Sequence, residues 1–245
     1  MQASNKGTDP SAHGLGGAVP AVVDAMFAGA AGYTVRCTPH RRTVMARTDD
    51  GLVLFGKLRD GAGALARAEW HWLHVLPMLG IAVPQPMAFE RRGGSSLLCT
   101  AAVPGRPLDA VLLESHRHGR FAAAVRFACE VVAPRIAALH DHGLVFRDLY
   151  WNHLFATSLR PDAELSFVDV ERVFRPRWRR FRWWIKDLAG LLASLPVEPS
   201  TRDAGRFLCA YLGHRGMRDR RAVHRWFAAC RRKARRIRAH APRYG

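Results

Sequence analysis

Four ionisable side chains stand in an order that matters chemically. Lys57 sits near the end of the apolar strand "LVLFGKL". Glu69 follows twelve residues later in "ARAEWHW", a stretch with helical patterning. Asp148 lies in "LHDHGLVFRDLYWNHLF", Leu139 to Phe155, where a helix ends and a loop begins. Asp169 closes a short strand in "FVDVERV", twenty-one residues beyond Asp148. Phosphoryl transfer from a nucleotide needs these four types. A cation neutralises phosphate oxygens, and an acid holds that cation. One carboxylate orients the attacking hydroxyl, and another binds Mg²⁺. A lone Lys in a strand is ordinarily a solvated edge residue. The ordered set carries the argument.

The surrounding pattern supplies elements that can position them. Arg41 to Asp60 reads as a hairpin turning at Asp49-Asp50-Gly51, with a second strand from about Leu52 to Leu58. Leu65, Trp72, Val75 and Leu76 recur at near-helical spacing until Pro77. Two further strands flank Gly93-Gly94. After "PGRP", Pro104 to Pro107, the chain becomes mainly helical. Phe121, Val125, Ala128, Val132, Ile136 and Leu139 form one stripe of a long helix, with Pro134 inside it and Gly143 at its C-cap. "WWIKDLAGLLASL" is an apolar helix, and the segment from about Arg218 to His240 is an amphipathic one. The fold class is α+β: a strand-rich first half with one main helix, then a helical second half.

Composition narrows the partners. Hydrophobic residues make up 49% of 245, enough for a sizeable core. The net charge is +18, and residues 171–245 hold 21 of the 38 Lys and Arg against 5 of the 20 acids. That asymmetry points to a polyanionic partner: nucleic acid, an anionic membrane or a phosphorylated substrate. The chain has no zinc-finger or RRM signature, so nucleic acid is not expected. Five scattered cysteines, none in CxxC spacing, suit buried free thiols in a reducing cytoplasm. The first twenty residues are rich in Gly, Ser and Pro, lack a signal-peptide pattern and read as a flexible tail. No apolar run reaches the length of a membrane span.

The chain resembles the protein-kinase-like fold, and more narrowly the lipopolysaccharide core kinases of Gram-negative bacteria, which phosphorylate heptose or Kdo sugars. The resemblance rests on "RRTV", "RAEWHWLHVLPMLGI", "LHDHGLVFRDLYWNHLF", "FVDVERV" and "RRFRWWIKDLAGLLASL", and spans about Arg41 to Leu195. That family carries a His five residues after the catalytic-loop Asp, matched by His153, and a D-L-H-R-like sequence matched by "DVER". The resemblance implies a bilobal enzyme using ATP and Mg²⁺, with an N-lobe over 21–104 and a C-lobe over 105–245. Lys57 would contact the nucleotide phosphates and pair with Glu69. Asp148 would orient the sugar hydroxyl, Arg147 would brace the loop, and Asp169 would bind Mg²⁺. His153 has three roles open to it: a metal ligand, a hydrogen-bonding partner of Asp148 or a phosphate, or a side chain that satisfies the local backbone. Asp187 would cap its helix or brace the loop through Arg147.

Two features depart from the kinase pattern. Phe146 stands where kinases often have a His. The only glycine-rich candidate, "AGAAGY" from Ala28 to Tyr33, lies far ahead of Lys57. The basic C-terminal helix and "RVFRPRWRRFRWW", Arg172 to Trp184, suit an anionic membrane face or packing on the C-lobe, and the second stretch also suits stacking on a sugar or nucleobase. The expectation is an enzyme on the inner face of the inner membrane that phosphorylates a lipopolysaccharide core sugar. A kinase of a protein or small soluble molecule, and an inactive kinase scaffold that binds polyanions, are the rivals.

Overall fold

Alternation along Val53–Asp60 decides the first half of the molecule. Leu54, Gly56 and Leu58 point to one face of a sheet, and Lys57 and Arg59 to the other. The computed structural model describes residues 18–30, 32–61 and 63–240. Its first unit, within 1–73 and 84–102, is a five-stranded antiparallel sheet. The strands are β1 (Tyr33–Thr38), β2 (Arg41–Arg47), β3 (Val53–Asp60), β4 (Pro86–Arg92) and β5 (Ser95–Ala101), in the order β1-β2-β3-β5-β4. Helix α1 (Val19–Ala28) covers one face. Its Val22, Val23 and Met26 pack with Val44, Ala46, Leu54, Leu97 and Cys99. Gly56 is required there, because a Cβ would stand 2.5 Å from the Met26 sulfur.

Helix α2 (Ala64–Met78) follows β3. Its buried stripe runs Ala66, Glu69, Leu73 and Leu76, while Leu65 is exposed. The stripe expected through Leu65 and Trp72 is thus displaced, and a carboxylate occupies the buried face. Pro77 falls in the last turn, as a helix-ending proline should. The sequence pattern did not reveal α1 or β1. The first starts at Val19, inside the segment expected to be a tail; residues 1–17 of that segment lie outside the described residues. Of "AGAAGY", Ala31 also lies outside them, and Gly29 is the left-handed C-cap of α1.

The second unit, within 74–83 and 103–245, is mainly helical. A short strand β6 (Arg106–Pro107) leads into α3 (Leu108–Arg117). The expected long helix is present as α4 (Phe121–Phe127), a π-helical turn (Ala128–Val132) and α5 (Ala133–Asp141). Pro134 offers no N–H to the preceding turn, which accounts for the widened hydrogen bonding just before it. After the loop carrying Asp148 come β7 (Leu154–Ala156) and β8 (Leu165–Phe167), which pair with β6 as β6-β7-β8. Then follow α6 (Arg180–Ala193), α7 (Thr201–His214) and α8 (Arg220–His240).

Helix α8 is built into this unit. It buries Trp226, Cys230 and Ala234, one i, i+4 stripe, and packs along α6. The Trp226 ring stacks on Trp184 at 6.2 Å and meets Phe181 edge-on at 5.0 Å. Near the other end, the Arg238 guanidinium donates to the Leu192 and Ala193 carbonyls, capping the C-terminus of α6. The thiols divide. Cys99 and Cys230 are buried, and burial pushes both up to about 12, whereas Cys37 and Cys209 are exposed. The expectation of uniformly buried thiols therefore fails at the surface positions. Among the described residues no helix is long and apolar enough to cross a membrane. Replacing Trp226 by Ala removes the ring joining α6, α7 and α8. A loss of about 3–5 kcal/mol of stability is expected, read by chemical denaturation.

Candidate active site

In the first unit, central strand β3 carries Lys57 opposite Thr43 of β2 and Leu98 of β5. Its Nζ donates to Glu69 Oε1 at 2.6 Å, and Arg59 approaches Glu69 Oε2 at 3.7 Å. The twelve-residue spacing is short, yet the end of β3 and a turn and a half of α2 fall within it. Glu69 is buried, so its charge depends on these cations. The pair holds the Lys57 side chain extended on the face of the sheet away from α1.

In the second unit, the loop after α5 is seated on α6 by a run of contacts at helical spacing. Asp187 is completely buried, at 0% exposure, yet carries three donors. The Phe146 N–H donates to its Oδ2 at 2.6 Å and the Arg147 N–H to its Oδ1 at 2.7 Å. His140 Nε2 lies 3.2 Å from Oδ2. Next to it, Lys186 Nζ donates to the Arg147 carbonyl at 2.5 Å. One turn on, Gly190 lets the loop close in, since a Cβ there would stand 2.6 Å from the Leu149 carbonyl oxygen. A further turn on, the Ser194 hydroxyl accepts from the Trp151 N–H at 3.1 Å. Asp187 does not cap α6, which begins at Arg180; of the two expectations, bracing of the loop through Arg147 holds, by way of that residue's backbone N–H. It braces the loop through backbone amides, holding Arg147 at φ 74.

Phe146 fills the position where kinases often carry a His. Phe146 is buried and packs on Phe167 at 5.8 Å, so it supplies volume. An imidazole reaches Asp187 from His140, in the last turn of α5. Its Nε2–H faces Asp187, its Nδ1 accepts from the Tyr211 hydroxyl at 2.7 Å, and Arg215 donates to Tyr211 at 2.8 Å. The chain of donors fixes a neutral ring with the proton on Nε2. Burial pushes this imidazole's pKa down, against the raising pull of Asp187.

The loop presents its side chains to the other side. Asp148 Oδ2 accepts from Arg172 at 2.8 Å, and among the described residues nothing is bonded to Oδ1. Arg172 belongs to "DVER", whose 3-10 turn (Val170–Arg172) starts from Asp169 in the left-handed region at φ 61. His153 ends the 3-10 turn Trp151–His153, and Asp169 lies just past β8. The β7–β8 pairing sets them diagonally opposed, with the Val168 N–H donating to the His153 carbonyl at 2.9 Å. His153 Nδ1 donates to the Asp148 carbonyl at 2.8 Å. In the neutral ring this leaves the Nε2 lone pair facing Asp169 Oδ2 across 3.8 Å. Two acceptors facing each other suit a cation between them. A carboxylate oxygen is the ligand Mg²⁺ favours, so Asp169 fits that ion and the imidazole is the weaker donor. Arg172, Lys186 and Tyr150 are members of this site that motif reasoning passed over.

A strand-rich unit carrying a Lys–Glu pair and a helical unit carrying an Asp loop define a protein-kinase-like phosphotransferase. Residues 61–211 match the Lipopolysaccharide kinase (Kdo/WaaP) family. The chain belongs to that family, whose members are lipopolysaccharide kinases acting on a hydroxyl acceptor. It is similar to the solved structure of WaaP in complex with acyl carrier protein. The TM-score is 0.68 at 27% identity, over 84% of this chain and 88% of that one. It shares its fold with an aminoglycoside-3'-phosphotransferase of type VIII. There the TM-score is 0.57 at 18% identity, over 85% of this chain and 98% of that one. The chain matches no curated protein.

Two outcomes test the loop's seating. The native imidazole is kept below its unfolded pKa, so the unfolded chain takes up the proton first. Stability is therefore complete above about pH 6.5 and falls as the pH drops below it. His140→Gln keeps one donor and one acceptor without titrating. Urea titrations between pH 5 and 8 are expected to show a shallower acid loss for this variant than for the native chain. Gly190→Val drives a side chain into the Leu149 carbonyl. It is expected to lower phosphate transfer at least ~10-fold while the Lys57–Glu69 unit stays intact, since a small misplacement of reacting groups has that scale of effect.

Proposed function

We propose that this lipopolysaccharide kinase transfers the γ-phosphoryl group of ATP, with Mg²⁺, to a heptose or Kdo hydroxyl of the inner core. Asp148 carries the reading. One of its oxygens is held by Arg172 and the other is open, on a loop whose backbone is clamped from below. The acceptor hydroxyl gives its proton to Asp148 Oδ1 as its oxygen bonds to the γ-phosphorus. The bond from that phosphorus to the β-bridging oxygen breaks, and ADP leaves. Arg172 holds the carboxylate in one rotamer. Lys57, kept extended by Glu69, meets the phosphates of the nucleotide. Asp169, with His153 beside it, would hold Mg²⁺, which when bound neutralises charge building on the phosphate oxygens.

The acceptor is lipid-linked, so the enzyme works at a membrane face, on the cytoplasmic side where ATP is found. Trp178 supports this reading. It is 74% exposed and flanked by exposed Arg177, Arg179 and Arg180. An aromatic ring among guanidinium groups suits the headgroup region.

Purified lipid A–core and ATP test the assignment. Asp148→Asn is expected to lower kcat by ~10²–10⁴-fold with the KM for ATP little changed. Lys57→Met is expected to raise the KM for ATP as well as lower kcat, since it removes charge from the nucleotide phosphates. Transfer by Asp148→Asn at the native rate would overturn the proposal.

A further inference from the structure

Beside Asp148 lies a groove of about 670 Å³, lined almost entirely by α6, α8 and the loop. Asp148 is its one carboxylate among many cations. The loop brings Arg147, α6 brings Arg182 and Lys186, and α8 brings Arg232, Lys233 and Arg236. The last three sit at i, i+1 and i+4, a stripe adjacent to the buried Trp226–Cys230–Ala234 stripe. The packing that buries one stripe therefore points the other at the site. None of the three has an ion pair among the described residues, although α8 engages Glu198 elsewhere through Arg238. Lys186 is half-buried, and burial pushes its pKa down, with Lys233 and Arg172 adding to that push. Like charges held together this way are unfavourable unless an anion joins them. Aromatic faces stand among them: Tyr150 under the Lys186 ammonium at 5.7 Å, and Trp183 under Arg182 at 5.6 Å.

We propose that α8 is the acceptor-binding helix, and that its Arg232–Lys233–Arg236 stripe holds an anionic group already present on the acceptor saccharide. This rests on the kinase reading above for the position of the reacting hydroxyl. The ligand chemistry is a phosphate ester or a sugar carboxylate on a residue next to the one phosphorylated. Aromatic faces take sugar rings, and the cations take the anion. A saccharide fits better than a bilayer surface because the stripe shares a concave groove with Asp148. The exposed basic stripe through Arg231 and Arg235 lies on the other side of the buried one. These residues position the acceptor and take no part in bond breaking.

The test is binding and turnover with deacylated core saccharide, beside its dephosphorylated and its carboxyl-reduced forms. The double variant Lys233→Gln/Arg236→Gln is compared with Arg231→Gln/Arg235→Gln, which removes equal charge from the other stripe. Calorimetric binding of the intact saccharide is expected to weaken at least ~10-fold in the first variant, the scale of losing charge-assisted hydrogen bonds, and to hold in the second. In turnover, the loss should appear in the KM for saccharide, with the KM for ATP and the melting temperature unchanged. The native chain should lose the same factor with whichever modified saccharide lacks the anion, and that arm identifies phosphate or carboxylate. Equal weakening by both double variants, or native binding indifferent to both modifications, overturns the proposal. Binding that behaves as expected without any phosphate transfer would overturn the kinase reading and leave the anion site standing.

Discussion

A single buried carboxylate sustains the reactive loop. Asp187 is sealed inside the second unit, and its charge is tolerable there because two backbone amides and one imidazole converge on it. Those amides belong to Phe146 and Arg147, the two residues before Asp148. Their N–H groups have no helix or strand to satisfy them, so Asp187 answers their need as they answer its own. The left-handed backbone at Arg147 is stable only inside that clamp. Remove the carboxylate and the loop loses both its anchor and its conformation.

The clamp also explains how charge is distributed. Because the loop is held by its backbone, its side chains are released for other work. The Arg147 guanidinium lines the groove, and the Asp148 carboxylate keeps one oxygen open. Helix α6 is the common scaffold. One side of it meets the loop through Lys186, Asp187, Gly190 and Ser194, and another receives α8. The strong positive balance of the last third is thus divided between a groove at the site and an outer surface.

Much of the site was legible because its chemistry depends on residue type and order. Lys57, Glu69, Asp148 and Asp169 stand out in the chain because a cation and three acids in that order match what phosphoryl transfer requires. The α+β division followed from periodicity, as did the amphipathic character of α8. Single-position features were harder to read. The buried face of α2 was missed because a carboxylate interrupts its apolar stripe. Helix α1 was hidden in a segment rich in small residues, and the exposure of β1 left it without an alternating pattern.

Composition and order alone determined a helical half, a strand-rich half, a candidate set of residues for phosphoryl transfer and an excess of positive charge. They did so because residue type and spacing are local properties of the chain. Tertiary structure alone decided which imidazole serves Asp187. His140 reaches it through a contact 47 residues apart in sequence. It also decided that Asp187 grips amides, that Arg172 pairs with Asp148, and that the basic end of the chain packs as a wall of the groove. Each of these depends on the side of a helix that burial selects, and that selection is made only when distant segments meet.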